Sequence, residues 1–171
     1  MMYRLEFLII LLIISPSCNS QKSLTNPEHT LQRAFQALKN KDWDAYSKLI
    51  VTVADFEMHN NKVSRFERNQ SYTGAVLKPE QVAVHRAAFD RAIAGDKDMI
   101  NFTDSEFVSI GSEIKTGDWG SISGDPLPYT LYSLKISSSG KEMDSRELDP
   151  AFYIAKLGSF YLILGLSFAG D

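Results

Sequence analysis

Apolar and polar positions change rhythm several times along this chain. Residues 7–14 are eight consecutive apolar side chains, ended by Ser15-Pro16-Ser17-Cys18, after which the chain turns mainly polar. Further on, Leu31, Ala34, Phe35 and Leu38 recur at helical spacing and predict a helix with one apolar face. Asn26 is placed to cap it, Pro27 fits a first helical position where the amide has no partner, and Glu28 complements the positive end of the helix dipole. After Lys39-Asn40-Lys41, Asp42 is placed to cap a second short helix containing Trp43, Tyr46, Leu49 and Ile50. Residues 51–76 hold isolated apolar side chains without a period, and read as irregular with a helical turn around 54–58. From Pro79 a third helix is predicted, stopping at Gly95, with Val82, His85, Phe89 and Ile93 along its apolar stripe.

Beyond Gly95 the helical period gives way to alternation and β-rich composition. Residues 99–114, 128–140, 146–158 and 159–170 read as four strand regions, with Ser138-Ser139-Gly140 and Leu157-Gly158-Ser159 as turns and 118–128 as the longest loop. Short connections make consecutive strands antiparallel neighbours. The nearly continuous apolar run 161–168 predicts a strand that is central in the sheet, or covered on its outer face by a second copy. Helices first and a meander afterwards give an α+β class, with the N-terminal helices packed on a curved antiparallel β-sheet.

With 171 residues and 44% hydrophobic content, the chain suits one domain with a sizeable core. Its 18 basic and 21 acidic residues are interspersed, which leaves no electrostatic footprint for nucleic acid. A single cysteine excludes an intramolecular disulfide framework, so the thiol needs its own explanation.

That explanation begins with Arg4 and the apolar run behind it. Eight apolar residues are far short of the ~20 that span a bilayer but fit the h-region of a secretory signal. Pro16 favours an extended chain where a peptidase must act, and Ser15 and Ser17 are small. Ser15-Pro16-Ser17-Cys18 resembles the lipobox of bacterial lipoprotein precursors, although Ser15 stands where an aliphatic residue is usual. The resemblance implies a signal peptide over 1–17, diacylglyceryl attachment to the Cys18 thiol, a lipidated tether over 18–25 and one α+β domain over 26–171. It places the protein on a membrane of the bacterial cell envelope, in or facing the periplasm. Asn19, where some bacteria use aspartate to retain lipoproteins at the inner membrane, leans the expectation towards the outer membrane. An ordinary secretory signal cut near Ser17 or Ser20 is the alternative.

The helical segment 34–50 followed by the closing pair of strands 151–166 resembles the nuclear transport factor 2-like superfamily, a cone-shaped, cystatin-like α+β roll. The matching pieces are Ala34, Phe35, Ala37 and Leu38, the Asp42-Trp43 corner and the final hairpin, all of them packing motifs. The resemblance implies a pocket between helices and sheet and the possibility of a homodimer through the open sheet face. Some members are isomerases or dehydratases that set a carboxylate base against a tyrosine or acid. Candidates for such roles here are Asp90 or Asp104 with Tyr129, Tyr132 or Tyr153, and none of them matches the catalytic positions of those enzymes. His85 is the one titratable group on the apolar stripe of the third helix, where a lone histidine is more often a packed residue than a base.

His29, His59 and His85 are too dispersed to suggest a metal site, and no serine-centred nucleophile motif is present, the serines of residues 120–124 being displaced from its middle position. No cofactor is implied. Trp119 reads as an aromatic anchor or as a side chain packed near the pocket mouth. The sequence therefore points to a lipid-anchored envelope protein whose roll binds a small apolar ligand or a protein partner without catalysis. An isomerase-like or dehydratase-like enzyme is the second reading and a structural envelope protein the third. A binder calls for a closed apolar pocket, an enzyme for a carboxylate or histidine facing a tyrosine inside it.

Overall fold

The computed structural model describes residues 26–52, 79–95, 97–119, 127–157 and 160–168. The signal, Cys18, the tether, the turn expected at 54–58, His59 and the 120–124 segment lie outside the described residues. Three helices, α1 (Pro27–Lys39), α2 (Trp43–Ser47) and α3 (Pro79–Ala94), are described, with five strands: β1 (Ser105–Trp119), β2 (Leu127–Ser138), β3 (Lys141–Asp144), β4 (Ala151–Leu157) and β5 (Phe160–Ser167). The class is α+β, N-terminal helices packed against a five-stranded antiparallel sheet.

The helix ends follow from local chemistry. The Asn26 side chain accepts from the Glu28 amide at 2.8 Å, and Asp42 accepts from the Ala45 amide at 2.9 Å, so each cap satisfies an amide that the helix leaves unpaired. Gly95 ends α3 at φ +68, a left-handed conformation that glycine adopts without a Cβ clash. Helix α2 stops earlier than its apolar pattern suggests, because Leu49 and Ile50 leave it to meet the sheet. The amide of Ile163 donates to the Leu49 carbonyl at 2.8 Å, and that of Val51 donates to the Ile163 carbonyl at 2.9 Å. The stripe of α3 packs on the core as expected at His85, Phe89 and Ile93, but not at its start. His85, Phe89 and Ala92 are buried, whereas Val82 is 40% exposed.

In the sheet the order is β1-β2-β4-β5, with β3 beside the C-terminal half of β2. Residues Tyr129–Tyr132 of β2 pair with β4, and Lys135–Ser138 pair with β3. Between these ladders, at Leu134, Ser145 completes the pairing: its amide donates to the Leu134 carbonyl at 2.8 Å and its hydroxyl accepts from the Leu134 amide at 2.9 Å. Strand β3 was invisible to an alternation test because all four of its side chains, Lys141–Asp144, are exposed. The turn before it is the expected one, with Ser139 at φ 51 and Gly140 at φ 77, the pair of positive angles that a tight hairpin demands.

Residues 99–104 are not strand, and β1 instead runs on to Trp119, which pairs with Leu127. The segment expected as the loop 118–128 is thus ladder at both ends. Among the described strands β5 lies at the edge of the sheet, not in its centre. Its continuous apolar run has another cause. A bulge between Tyr153 and Ile154 makes Ile163 and Gly165 the partners on β5, so Leu164 is an extra residue, and the backbone of residues 49–51 covers the edge at Ile163. Register breaks at three places in β1 likewise bend that strand.

The core lies between α1, α2, α3 and one sheet face. Phe35 packs on Phe102 and Phe107, and Tyr46 packs on Phe89, above Leu134, Ile136, Phe152 and Ile163.

Candidate functional site

The helix-facing side of the sheet is filled at one end and open at the other. Towards the C-terminal half of β2, Leu134 and Ile136 are sealed in the core. Towards its N-terminal half, the same face continues as Pro128, Thr130 and Tyr132, joined by Ile154 and Lys156 of β4, Tyr161 of β5 and Thr116 of β1. These residues line a cleft of about 520 Å3. The register explains the grouping, because Thr116, Thr130 and Ile154 form one cross-strand row and Glu113, Tyr132 and Phe152 the next. Tyr132 and Ile154 belong to the core cluster and to the cleft lining alike, so the cleft is the unfilled continuation of the core.

The cleft is open and chemically mixed, not the closed apolar pocket that a binder of small apolar molecules calls for. Ile154, Pro128 and the faces of Tyr132 and Tyr161 give apolar surface; Thr116, Thr130 and the tyrosines bring hydroxyls. Lys156, paired across the hairpin with Tyr161, holds its ammonium 5.7 Å from that ring's centroid. Burial pushes the Tyr132 phenol above its ordinary value; the Glu113 carboxylate opposite adds to the rise, and a hydrogen bond with Thr130 works against it.

Of the residues singled out from the sequence, the structure brings Tyr129 and Tyr132 to this cleft. Tyr153 meets Tyr129 edge-on with ring centroids 5.2 Å apart. Asp90 does not reach it. It is exposed on α3 in an ion pair with Arg86 at 3.0 Å. Asp104 is exposed as well and accepts from the Asn101 side chain at 2.8 Å. His85 is buried on α3 and lines neither this cleft nor a smaller hollow of about 360 Å3 between the ends of α1 and α3 and residues 99–103. His29 is exposed on α1. The Trp119 side chain lies outside the described residues. Among the described residues, no three His, Cys, Asp or Glu side chains gather as a metal-ligand set.

Glu113, Thr130, Lys156 and Tyr161 were not found from the sequence. Thr130 with Tyr132, and Ile154 with Lys156, follow period two, which would have placed them on one face. For Glu113 the signal was lost, because the register breaks on either side of it scramble the alternation of β1.

A polar cluster occupies one of those breaks. The Ser133 hydroxyl accepts from the Ser112 amide at 2.8 Å and donates to Asp144 at 2.6 Å, and Ser112 donates to the other oxygen of Asp144 at 2.6 Å. Arg146 donates to the Ser112 hydroxyl at 2.6 Å. The cluster closes the ladder gap left by the bulge; among the described residues no histidine or lysine hydrogen-bonds to either serine.

No family model, no curated protein and no solved structure matches the chain. Among the described residues no helix is long and apolar enough to cross a membrane.

Proposed function

We propose that this chain is a lipid-anchored protein of the bacterial cell envelope, held through Cys18, whose cleft binds a small ligand with both apolar and polar groups. The observation that carries the binding reading is the cleft of about 520 Å3, within the ~300–1,000 Å3 usual for small-molecule sites and lined by tyrosine, threonine, isoleucine and lysine. The anchor reading rests on Ser15-Pro16-Ser17-Cys18 behind a short apolar run, and a nuclear transport factor 2-like roll is the resemblance that fits helices placed before an antiparallel sheet. Two acyl chains suffice for stable membrane attachment. The outer membrane is the proposed location.

The test has two readouts. Mass spectrometry of the N-terminal peptide should show a diacylated Cys18, and Cys18→Ser should release the protein from membranes. A fluorescent amphiphile such as anilinonaphthalene sulfonate should bind the folded domain and be excluded by Thr130→Trp, which fills the cleft. Equal binding by the filled variant would remove the cleft from the reading.

A second reading, an isomerase-like enzyme, is favoured by one observation: the Glu113 carboxylate stands opposite Tyr132 in the register and interacts with its hydroxyl. It requires proton exchange next to a ketone carbonyl that Glu113→Gln abolishes.

A further inference from the structure

The start of the domain and the cleft are one hydrogen bond apart. Thr30, in the first turn of α1, donates from its hydroxyl to the Tyr161 carbonyl at 2.7 Å, and Tyr161 lines the cleft beside Lys156. Helix α1 then runs away from this end, and at its far end Lys39 reaches the Ser105 carbonyl at 2.8 Å. Eight residues carry the chain from Cys18 to Asn26. Even fully extended they span less than about 30 Å. An acylated Cys18 therefore holds the Asn26 end of the domain, where the cleft lies, within that distance of the bilayer.

We propose that the cleft receives the headgroup of an anionic lipid from the membrane that holds the anchor. This rests on the lipid-anchored, ligand-binding reading above and deepens it by naming the ligand. The chain carries a formal charge of −3, so an anion is not drawn by the overall field and must be recognised locally. Lys156 is the cation among the described lining residues, while Thr116, Thr130 and Tyr161 bring hydroxyls suited to phosphate oxygens. Glu113 stands at the Tyr132 hydroxyl, which directs the anion to the Lys156 end of the cleft. Ile154, Pro128 and the tyrosine rings provide apolar surface for the glycerol and the first methylenes.

The experiment is hydrogen exchange of the acylated full chain in vesicles. Three conditions are compared: phosphatidylcholine alone, phosphatidylcholine mixed with phosphatidylglycerol, and phosphatidylcholine with soluble glycerol phosphate. With lipid at about ten times its dissociation constant, peptides covering 129–132 and 160–162 should exchange about tenfold more slowly in the mixed vesicles. Lys156→Ala should lose this protection, and Lys41→Ala, which removes a surface cation elsewhere, should keep it. Protection by glycerol phosphate without a further gain in the mixed vesicles overturns the membrane source and leaves the binding reading standing. Equal exchange in all three conditions overturns the lipid proposal, and if the fluorescent amphiphile also fails to bind, the binding reading falls with it. Protection that survives Lys156→Ala overturns the assignment of the anion to this cleft.

Discussion

Thr30 and Tyr161 lie 131 positions apart in the chain and are joined by a 2.7 Å hydrogen bond from a hydroxyl to a backbone carbonyl. Thr30 is wholly buried, and its hydroxyl pins α1 to strand β5. Thr30→Val keeps the shape and removes the donor, leaving the carbonyl without this bond; a cost of about 1–3 kcal/mol is expected. Urea unfolding should show a lower midpoint at unchanged slope, and Thr30→Ser should recover most of the loss. Equal stability of the valine variant would show that the bond does not hold the helix to the sheet.

Gly111 sits in the bulge of β1 because nothing larger fits there. A Cβ at this position would lie 2.5 Å from the Ser133 hydroxyl, 2.8 Å from an Asp144 oxygen and 2.9 Å from the backbone carbon of Leu134. Gly111→Ala should destabilise by about 1–3 kcal/mol, the usual range for overpacking. Adding Ser133→Ala should not restore stability, since the backbone contact remains and the Ser112 amide loses its acceptor. Rescue by the double variant would place the strain in the serine alone.

The elements were legible where local chemistry decides them. Asn26, Asp42, Pro79 and Gly95 marked helix ends, and Ser139-Gly140 marked a hairpin, because a cap or a positive φ needs only its own few residues. Strand positions were legible only where alternation survived. Three register breaks hid the face of Glu113, full exposure hid β3, and a bulge made β5 look central when it is an edge. The site was half-legible for the same reason. Tyr129 and Tyr132 were read from β2, but choosing a carboxylate to oppose them required the cross-strand register, which no single segment contains. Asp90 and Asp104, the carboxylates considered for that role, are engaged elsewhere.

Asp144 should make the domain acid-sensitive in a definable window. The slight desolvation of this exposed carboxylate would by itself raise its pKa, but hydrogen bonds from Ser112 and Ser133 and the charge of Arg146 outweigh that and hold it below the ordinary 3.8. A folded-state value below the unfolded one gives stability that is present above the unfolded value and is lost as pH falls through the folded one. Urea midpoints should therefore drop as pH falls below about 4. Asp144→Asn should be less stable at neutral pH and should show a shallower acid decline. A decline identical to that of the parent chain would mean that other carboxylates govern acid unfolding.

Glu113 and Tyr132 give the mirror case in alkali. The Tyr132 phenol is raised above 10.0 mainly by burial, with the Glu113 carboxylate adding to the rise. A raised folded-state value means that its contribution is complete below the unfolded value near 10 and is lost as pH climbs through the folded one. Glu113→Gln removes the negative charge and leaves the burial. The Tyr132 titration, followed by NMR of labelled tyrosine and assigned with Tyr132→Phe, should shift downward without reaching the ordinary value. Tyr46 packs in the core against Trp43 and Phe89, and its burial raises it far more, so it should stay protonated throughout the titration in the parent and in the glutamine variant alike. An unmoved Tyr132 titration in Glu113→Gln would show that the carboxylate does not sense the phenol. The one observation favouring proton-transfer chemistry at this cleft would then be gone, leaving binding as the reading its lining supports.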